Sequence, residues 1–151
     1  MSFNWKKEAD RKFTVYPEAI YKVGIVDWEY TVAKTGTKQV RVKAEIVEPE
    51  EYAGKTIVDH YALTENAQWK LARLVASIMD VETLPTMEAN SKSFNRVLDS
   101  LKGQSVYWQV TQRVFNGIKR NDIIDYKPTK DTLIKYQEDT EVPAFLKEGK
   151  A

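Results

Sequence analysis

One stretch, residues 54–79, constrains the fold more than any other part of the chain. Its sequence, GKTIVDHYALTENAQWKLARLVASIM, begins at a turn glycine and continues through β-branched and aromatic residues that favour a strand. Thr64 stands where its side chain can cap a following helix. The apolar residues of that helix recur at helical spacing: Ala67, Leu71, Leu74, Val75 and Ile78. The stretch therefore predicts a strand that leads almost directly into one helix.

Alternating apolar and polar residues on both sides of this unit predict further strands. The predicted strands are residues 20–32, 39–47, 56–63, 105–115 and 118–126. The second is expected to turn Val40, Val42, Ala44 and Ile46 inward, and the fourth carries Val106, Trp108, Val110 and Val114 on one face. Turns are expected at Gly36 and at Asn116-Gly117, and Gly24 marks a bend within the first strand. Residues 94–101 have helical spacing and predict a short second helix that Gly103 ends.

Three strands, a helix and two strands follow the order of the OB-fold, a five-stranded Greek-key barrel. We therefore expect an all-β protein, a β-barrel with helices, whose OB-fold domain covers residues 20–128. Its main helix would lie between strands 3 and 4, and the short extra helix would precede strand 4. Residues 1–19 are interpreted as an arm, anchored by Phe3, Trp5 and Phe13, and residues 129–151 as a flexible tail.

Composition excludes several kinds of site. The 151 residues fit one domain, and they contain no Cys and a single His. Disulfides and thiolate chemistry are therefore excluded, and no metal-ligand spacing, phosphate-binding glycine loop or catalytic set is found. We expect a protein that is not an enzyme and that has no catalytic residues, no metal site and no cofactor.

The sequence contains no segment typical of membrane insertion or export. No apolar run approaches the ~18 residues that a membrane span requires, and the N-terminus lacks the apolar region of a signal peptide. We expect a cytoplasmic protein that is not secreted and that has no membrane partner.

The net charge of +1 conceals a segregated distribution. No acid occurs between Glu29 and Glu45 or between Asp99 and Asp122. The cations in these two stretches are Lys34, Lys38, Arg41, Lys43, Lys102, Arg113, Lys119 and Arg120. The stretches contain the hairpins that join strands 1–2 and 4–5, which are ligand-binding loops of an OB-fold. Topology and charge therefore predict the same surface for a polyanion.

A single-stranded nucleic acid offers phosphates to cations and base faces to aromatic rings. On this reasoning twelve residues form the predicted site for single-stranded DNA. They are Trp28, Tyr30, Lys34, Lys38, Arg41, Lys43, Tyr61, Tyr107, Arg113, Phe115, Lys119 and Arg120.

Each aromatic candidate also has a structural interpretation. Trp28 could belong to the core, because a bend at Gly24 makes the alternation beyond it unreliable. Tyr107 and Phe115 could pack under the N-terminal arm, and the inward face of the strand that carries Tyr61 cannot be assigned. Trp69 falls opposite the apolar stripe of its helix, where the arm or tail would cover it or a partner would bind.

Several segments follow one another in a recognisable order. They are FNW, YPEAIYKVGI, KTGTKQVRVKAEIVEPEEYAGKTI, HYALTENAQWKLARLV, and LKGQSVYWQV followed by NGIKRNDIIDYKP. In this order they resemble phage-encoded single-stranded DNA-binding proteins, a group long catalogued only as a phage domain of unknown function. The resemblance covers roughly residues 3–128. It implies an OB-fold protein that coats single-stranded DNA during phage replication or recombination, in the cytoplasm of a bacterial host.

Two alternatives to DNA binding stay open on the sequence alone. The same barrel could be an assembly module that binds a phage or host protein through Trp69 and the tail. RNA could also be the polymer, since distinguishing it depends on contacts to the 2′-hydroxyl. The acidic stretch 138–141, followed by Pro143-Ala144-Phe145, resembles tails through which single-strand binders recruit replication or recombination proteins.

Overall fold

The strands predicted from alternation are present, and they make the protein mostly β. The structure is a computed structural model, and it describes residues 2–5 and 15–136. The strands are β1 (Ala19–Val32), β2 (Lys38–Glu48), β3 (Thr56–Ala62), β4 (Met79–Asp80), β5 (Ser105–Phe115), β6 (Ile118–Pro128) and β7 (Ile134–Lys135). The α-helices are α1 (Trp69–Ala76) and α2 (Lys92–Asp99), and short 3-10 helices cover Glu50–Tyr52 and Val81–Thr83.

Five long strands form one antiparallel sheet in the order β3-β2-β1-β5-β6. The expected barrel is not closed, because β3 and β6 remain the two edges of this sheet in the described part of the chain. The predicted fourth and fifth strands correspond to β5 and β6. A second, two-stranded sheet pairs β4 with β7 in parallel, which sequence alternation did not predict because each strand has only two residues.

Side chains, rather than a strand ladder, connect the two sheet edges. Tyr126 on β6 donates a hydrogen bond of 2.8 Å from its hydroxyl to Asp59 on β3. Lys70 on α1 contacts Asp59 at 3.2 Å and Asp122 on β6 at 3.7 Å. Tyr16 spans the same gap: its hydroxyl donates to the Thr56 carbonyl, and its amide nitrogen donates to Asn121.

The core lies on the inner face of the sheet, under α1. Val40, Val42, Ala44 and Ile46 alternate inward on β2, as predicted, with at most 1% of each exposed. Four residues of the predicted apolar stripe, Leu71, Leu74, Val75 and Ile78, are buried, although Ile78 lies just after the helix. The fifth, Ala67, is only partly buried and lies in the turn before the helix. On β5, Val106, Trp108 and Val110 point inward as predicted. Val114 was assigned to the same face but is 64% exposed, because it lies in the part of the hairpin beyond the core.

The main helix is shorter than predicted. It begins at Trp69, after hydrogen-bonded turns in which the amides of Ala67 and Gln68 donate to the carbonyl of Thr64. Thr64 therefore contributes its backbone to a turn and does not cap the helix. The second helix is confirmed, with the Ser91 hydroxyl accepting from the Phe94 amide. Gly103 follows it with a φ of +81°, a conformation that glycine adopts without steric cost.

A bulge in β1 decides which residues face the core. Val23 and Ile25 point inward, but the register shifts between Ile25 and Asp27. After the shift, Trp28 lies opposite the buried Val42 and Tyr30 lies opposite the buried Val40. Residues directly opposite one another in an antiparallel pair share a face. The bulge therefore turns both rings toward the inner face.

The anchor of the N-terminal segment is Tyr16, which is 7% exposed. The predicted anchors Phe3 and Trp5 are instead 56% and 80% exposed, and Phe13 lies outside the described residues. In the predicted tail, Ile134 packs against the core and Tyr136 donates its amide to Thr83. Residues 137–151, which include the acidic stretch and Phe145, lie outside the described residues.

Candidate nucleic-acid interface

The outer face of β2 carries two of the predicted cations, Arg41 and Lys43. They alternate along β2 with the buried valines and therefore point to the other face of the sheet. In the strand register, Arg41 lies between Glu29 on β1 and His60 on β3. Arg41 contacts the Glu29 carboxylate at 2.8 Å. This pair is not visible in the sequence, because Glu29 precedes the acid-free stretch and lies beside Arg41 only when β1 and β2 pair.

A depression of about 260 Å³ lies beside these cations. It is lined by Asp27, Trp28, Glu29, Arg41 and Lys43. Lys43 lies opposite Asp27 in the register, and Asp27 also contacts Lys102 at 3.3 Å. The depression thus brings two cations and an indole together, and the Glu29 carboxylate holds Arg41 in place. Such a surface can bind a phosphate next to a base.

The β5–β6 hairpin places two arginines directly opposite one another. Asn116 and Gly117 form its turn with φ values of 51° and 76°, the left-handed conformation that a two-residue hairpin requires. Arg113 and Arg120 are cross-strand partners, and like charges in this position repel. A depression of about 200 Å³ is lined by these arginines with Asn121 and Asp122. Arg113 contacts Asp122 at 2.8 Å, which leaves the charge of Arg120 available to an anion.

Five predicted cations have no carboxylate within 4 Å in the part of the chain that the structure describes. They are Lys34, Lys38, Lys43, Lys119 and Arg120, all of them exposed. Lys34 and Lys38 flank the β1–β2 turn, where Gly36 has a φ of +89°. Lys119 and Arg120 follow the β5–β6 turn. Both hairpins therefore present cations that are not neutralised by direct ion pairs to described residues.

Two of the predicted cations, Arg41 and Arg120, act electrostatically on His60. Desolvation lowers the pKa of its imidazole, and the positive charges of Arg41, Lys70 and Arg120 lower it further, while the negative charge of Asp59 opposes them. These three cations come from β2, α1 and β6. The outer face of β3 is therefore the place where the charges of β2 and of the β5–β6 hairpin act on one group.

Trp28 and Tyr30 are partly buried and are held by α2. The indole of Trp28 donates to Asp99 at 2.9 Å, and the hydroxyl of Tyr30 donates to Asn95. The two rings meet edge to face, with centroids 5.1 Å apart. Burial raises the pKa of the Tyr30 hydroxyl. Trp28 still lines the depression beside Arg41, whereas Tyr30 does not, so Trp28 is the better placed of the two for stacking.

The remaining aromatic candidates have different environments. Tyr61 is 0% exposed, so its assignment as a DNA-contacting residue is wrong. Its strand turns Ile57, Asp59 and Tyr61 inward, opposite the inner face of β2. Tyr107 is half-buried on the outer face of β5, between Lys22 and Lys127 in the register. Phe115 is the last residue of β5, and its side chain lies outside the described part of the structure.

A buried group formed by Asp59, Lys70 and Tyr126 was not predicted from the sequence. Asp59 is 8% exposed and accepts hydrogen bonds from Lys70, from Tyr126 and from the amide of His60. The sequence contains one indication of this group: Asp59 lies two residues from both Ile57 and Tyr61, and so on the same face of the strand. The partners come from α1 and β6, and no local pattern identifies them.

Among the described residues, no group of three or more His, Cys, Asp or Glu side chains could hold a metal ion. No helix within residues 2–5 and 15–136 is long and apolar enough to cross a membrane.

The interface can be compared with known proteins at the level of the family. No curated protein matches the chain. A family model described as "Protein of unknown function (DUF669)" matches residues 3–135. The match contains every described strand and helix of the fold, together with most of the N-terminal segment that carries Phe3 and Trp5. The chain therefore belongs to the DUF669 family, a family of proteins of unknown function.

Proposed function

We propose that this protein binds single-stranded DNA, largely without sequence preference, and that it coats the strand during phage replication or recombination. The observation that carries the proposal is geometric: Arg41 of β2 lies beside His60 of β3 in the strand register, and exposed cations cluster there and on the β5–β6 hairpin. Around this point, two depressions each present a pair of cations. A flexible chain of phosphates would bridge them and would relieve the repulsion between Arg113 and Arg120.

The strand order supports an OB-type topology for this surface. An OB-fold is a five-stranded, partly open Greek-key barrel that binds ligands on its strand 2–3 face and on the loops joining strands 1–2 and 4–5. Here the helix α1 follows β3, and the proposed surface consists of the β2–β3 face and the two hairpins. Asp59, Lys70 and Tyr126 would then complete a barrel that main-chain pairing leaves open.

The direct test is a fluorescence titration of the full chain with oligo-dT, with the matching duplex and with oligo-rU over a salt series. Tight dT binding with a log–log salt slope of about −3.5 is expected, because five exposed cations would each release about 0.7 counterion from a single strand. Equal affinity for the duplex, or no salt dependence, would rule the proposal out. Tighter binding of rU would favour RNA as the ligand.

Binding is also expected to take up a proton at His60. The pKa of this imidazole is lowered in the free protein, so it is largely neutral at pH 7, and a nearby phosphate would raise that pKa. The bound state then holds more protons than the free state, so affinity for dT rises as the pH falls from 8 to 6, by less than about tenfold per pH unit. Titrations at both pH values measure this, and His60→Gln should flatten the profile. A wild-type affinity independent of pH would contradict the placement of DNA on β3.

A further inference from the structure

An apolar groove that shares no lining residue with the two cationic depressions lies between α1, α2 and the loop that connects them. Its volume is about 550 Å³, within the range of sites that bind organic groups. Trp69 and Ala72 of α1, Val81 and Leu84 of the connecting loop, and Val97 of α2 are among its lining residues. Trp69 is 57% exposed and Val81 is 40% exposed. No described residue covers these side chains, and apolar surface of this kind marks a binding site.

The N-terminal segment exposes two aromatic side chains that are not part of the hydrophobic core. Phe3 and Trp5 are 56% and 80% exposed, and their rings meet edge to face at 4.6 Å. Neither ring packs against the described core. Each aromatic side chain can bury about 150–250 Å² when it enters an apolar site. Both rings are apolar and exposed, so they are suitable to bind in the apolar groove.

Charge favours this pair over the other apolar segment available. Glu65 lines the groove, and the exposed Glu82 and Glu88 lie in the loop that forms its wall. In the sequence, Lys6-Lys7 directly follows Trp5, whereas the apolar residues 142–146 follow the acidic stretch 138–141. An acidic rim attracts the first segment and repels the second.

We infer that Phe3 and Trp5 of one copy bind in the apolar groove of a second copy, so that copies associate head to tail. Such a contact joins two different surfaces and builds open rows rather than closed dimers. Two buried rings fall below the roughly 1,200 Å² of a standard interface, so the contact is weak for free copies. If the proposed DNA binding holds, neighbours on one strand are held at high effective concentration, and the contact makes binding cooperative.

The test uses two full-length variants without DNA, so its result does not depend on the proposed function. Trp5→Ala removes the ring and keeps the groove, and Ala72→Arg blocks the groove at an exposed position and keeps the ring. In sedimentation equilibrium up to about millimolar concentration, the wild type should gain mass with concentration. Each variant alone should remain monomeric. Their equimolar mixture should form heterodimers and nothing larger, which only a head-to-tail contact produces.

Several outcomes would overturn the inference. A wild type that stays monomeric at every concentration, or a mixture that forms no heterodimer, excludes the contact between copies. If truncation after Tyr136 abolishes association while Trp5→Ala does not, residues 137–151 are the occupant instead. Ile20→Ala serves as the matched control for loss of exposed apolar surface and should associate like the wild type. If Ala72→Arg lowers the thermal midpoint, Glu65→Arg replaces it as the groove variant.

A second measurement addresses DNA itself. Trp5→Ala should bind a dT strand long enough for one copy as tightly as the wild type, and should bind a strand that holds many copies about tenfold more weakly. Unchanged affinity on the long strand would show that the contact does not act on DNA. Absence of any DNA binding would contradict the proposed function and leave the sedimentation result standing.

Discussion

A protein that carries both Lys38→Glu and Arg120→Glu is expected to bind oligo-dT about a hundred-fold more weakly than the wild type, with a salt slope smaller by about 1.4. The two cations lie on β2 and β6, on either side of β1 and β5 in the sheet order. Neither has a carboxylate within 4 Å in the described chain, so each is free to contact a phosphate. Reversal replaces that attraction by repulsion. Fluorescence titration over a salt series measures both quantities.

These positions are better probes than Arg41 or Arg113. Those arginines contact Glu29 and Asp122, so a glutamate in their place would bring like charges together and disturb the strands. The matched control is Lys130→Glu with Lys135→Glu, which makes the same change in net charge after β6 and on β7. It should weaken binding by no more than about threefold, because distant exposed charges are screened. Equal losses in the two double variants would show that net charge alone, and not this surface, governs binding.

Replacing Lys70 by methionine is expected to lower the free energy of unfolding by about 3 kcal/mol, the cost typical of removing one partner from a buried ion pair. The carboxylate of Asp59 is 8% exposed and lies 3.2 Å from the ammonium of Lys70. Without that ammonium it keeps, among the described residues, the hydrogen bonds from Tyr126 and from the His60 amide. Chemical denaturation at pH 8 measures the loss.

The loss of unfolding free energy caused by Lys70→Met should become smaller as the pH falls. Burial raises the pKa of Asp59, while the charge of Lys70 and the hydrogen bond from Tyr126 act in the opposite direction. Removing Lys70 therefore raises this pKa further. A group whose pKa is higher in the folded state stabilises the fold at low pH and loses that contribution as the pH rises through the folded pKa. Repeating the denaturation at pH 5 should thus show a smaller difference from the wild type.

Arg73→Met provides the matched control on the same helix. Arg73 contacts Asp125 on β6, but its side chain is 55% exposed, and surface pairs of this kind contribute about 0–1 kcal/mol. Its effect on unfolding should be small. A loss for Lys70→Met as small as that for Arg73→Met, or one that does not change between pH 8 and pH 5, would show that Asp59 is not a buried charge that depends on Lys70.

Most of the secondary structure could be predicted because it follows local periodicity. On β2, four consecutive inward positions are small or branched apolar residues, and the pattern allows no other face. The α1 stripe is equally clear. The sequence left the face of β1 beyond Gly24 unassigned, and the structure shows that the unpaired Val26 reverses the face of the residues after it. The alternation of side chains along a strand does not reveal where an extra residue is inserted.

The candidate site could be predicted only in part, for a related reason. Exposed cations on hairpins are visible in the sequence, so Lys34, Lys38, Lys119 and Arg120 lie on the surface as expected. Whether a cation already contacts a carboxylate depends on a neighbouring strand, as Glu29 does for Arg41. Tyr61 illustrates the same difficulty, because the face of β3 is decided by its pairing with β2 and by the helix that covers it.

The strand–helix unit of residues 54–79 shows which features follow from the sequence and which depend on tertiary packing. By itself the sequence determined that a strand at Thr56–Ala62 leads through a turn into a helix with one apolar face, since propensity and spacing act within a few residues. Only the tertiary structure decided that Asp59 and Lys70, on these two elements, meet Tyr126 and Asp122 from a strand some sixty residues later. It also decided that the sheet stays open at this edge and that Trp69 borders a groove. Such contacts form by packing between distant segments, which periodicity along one segment does not specify.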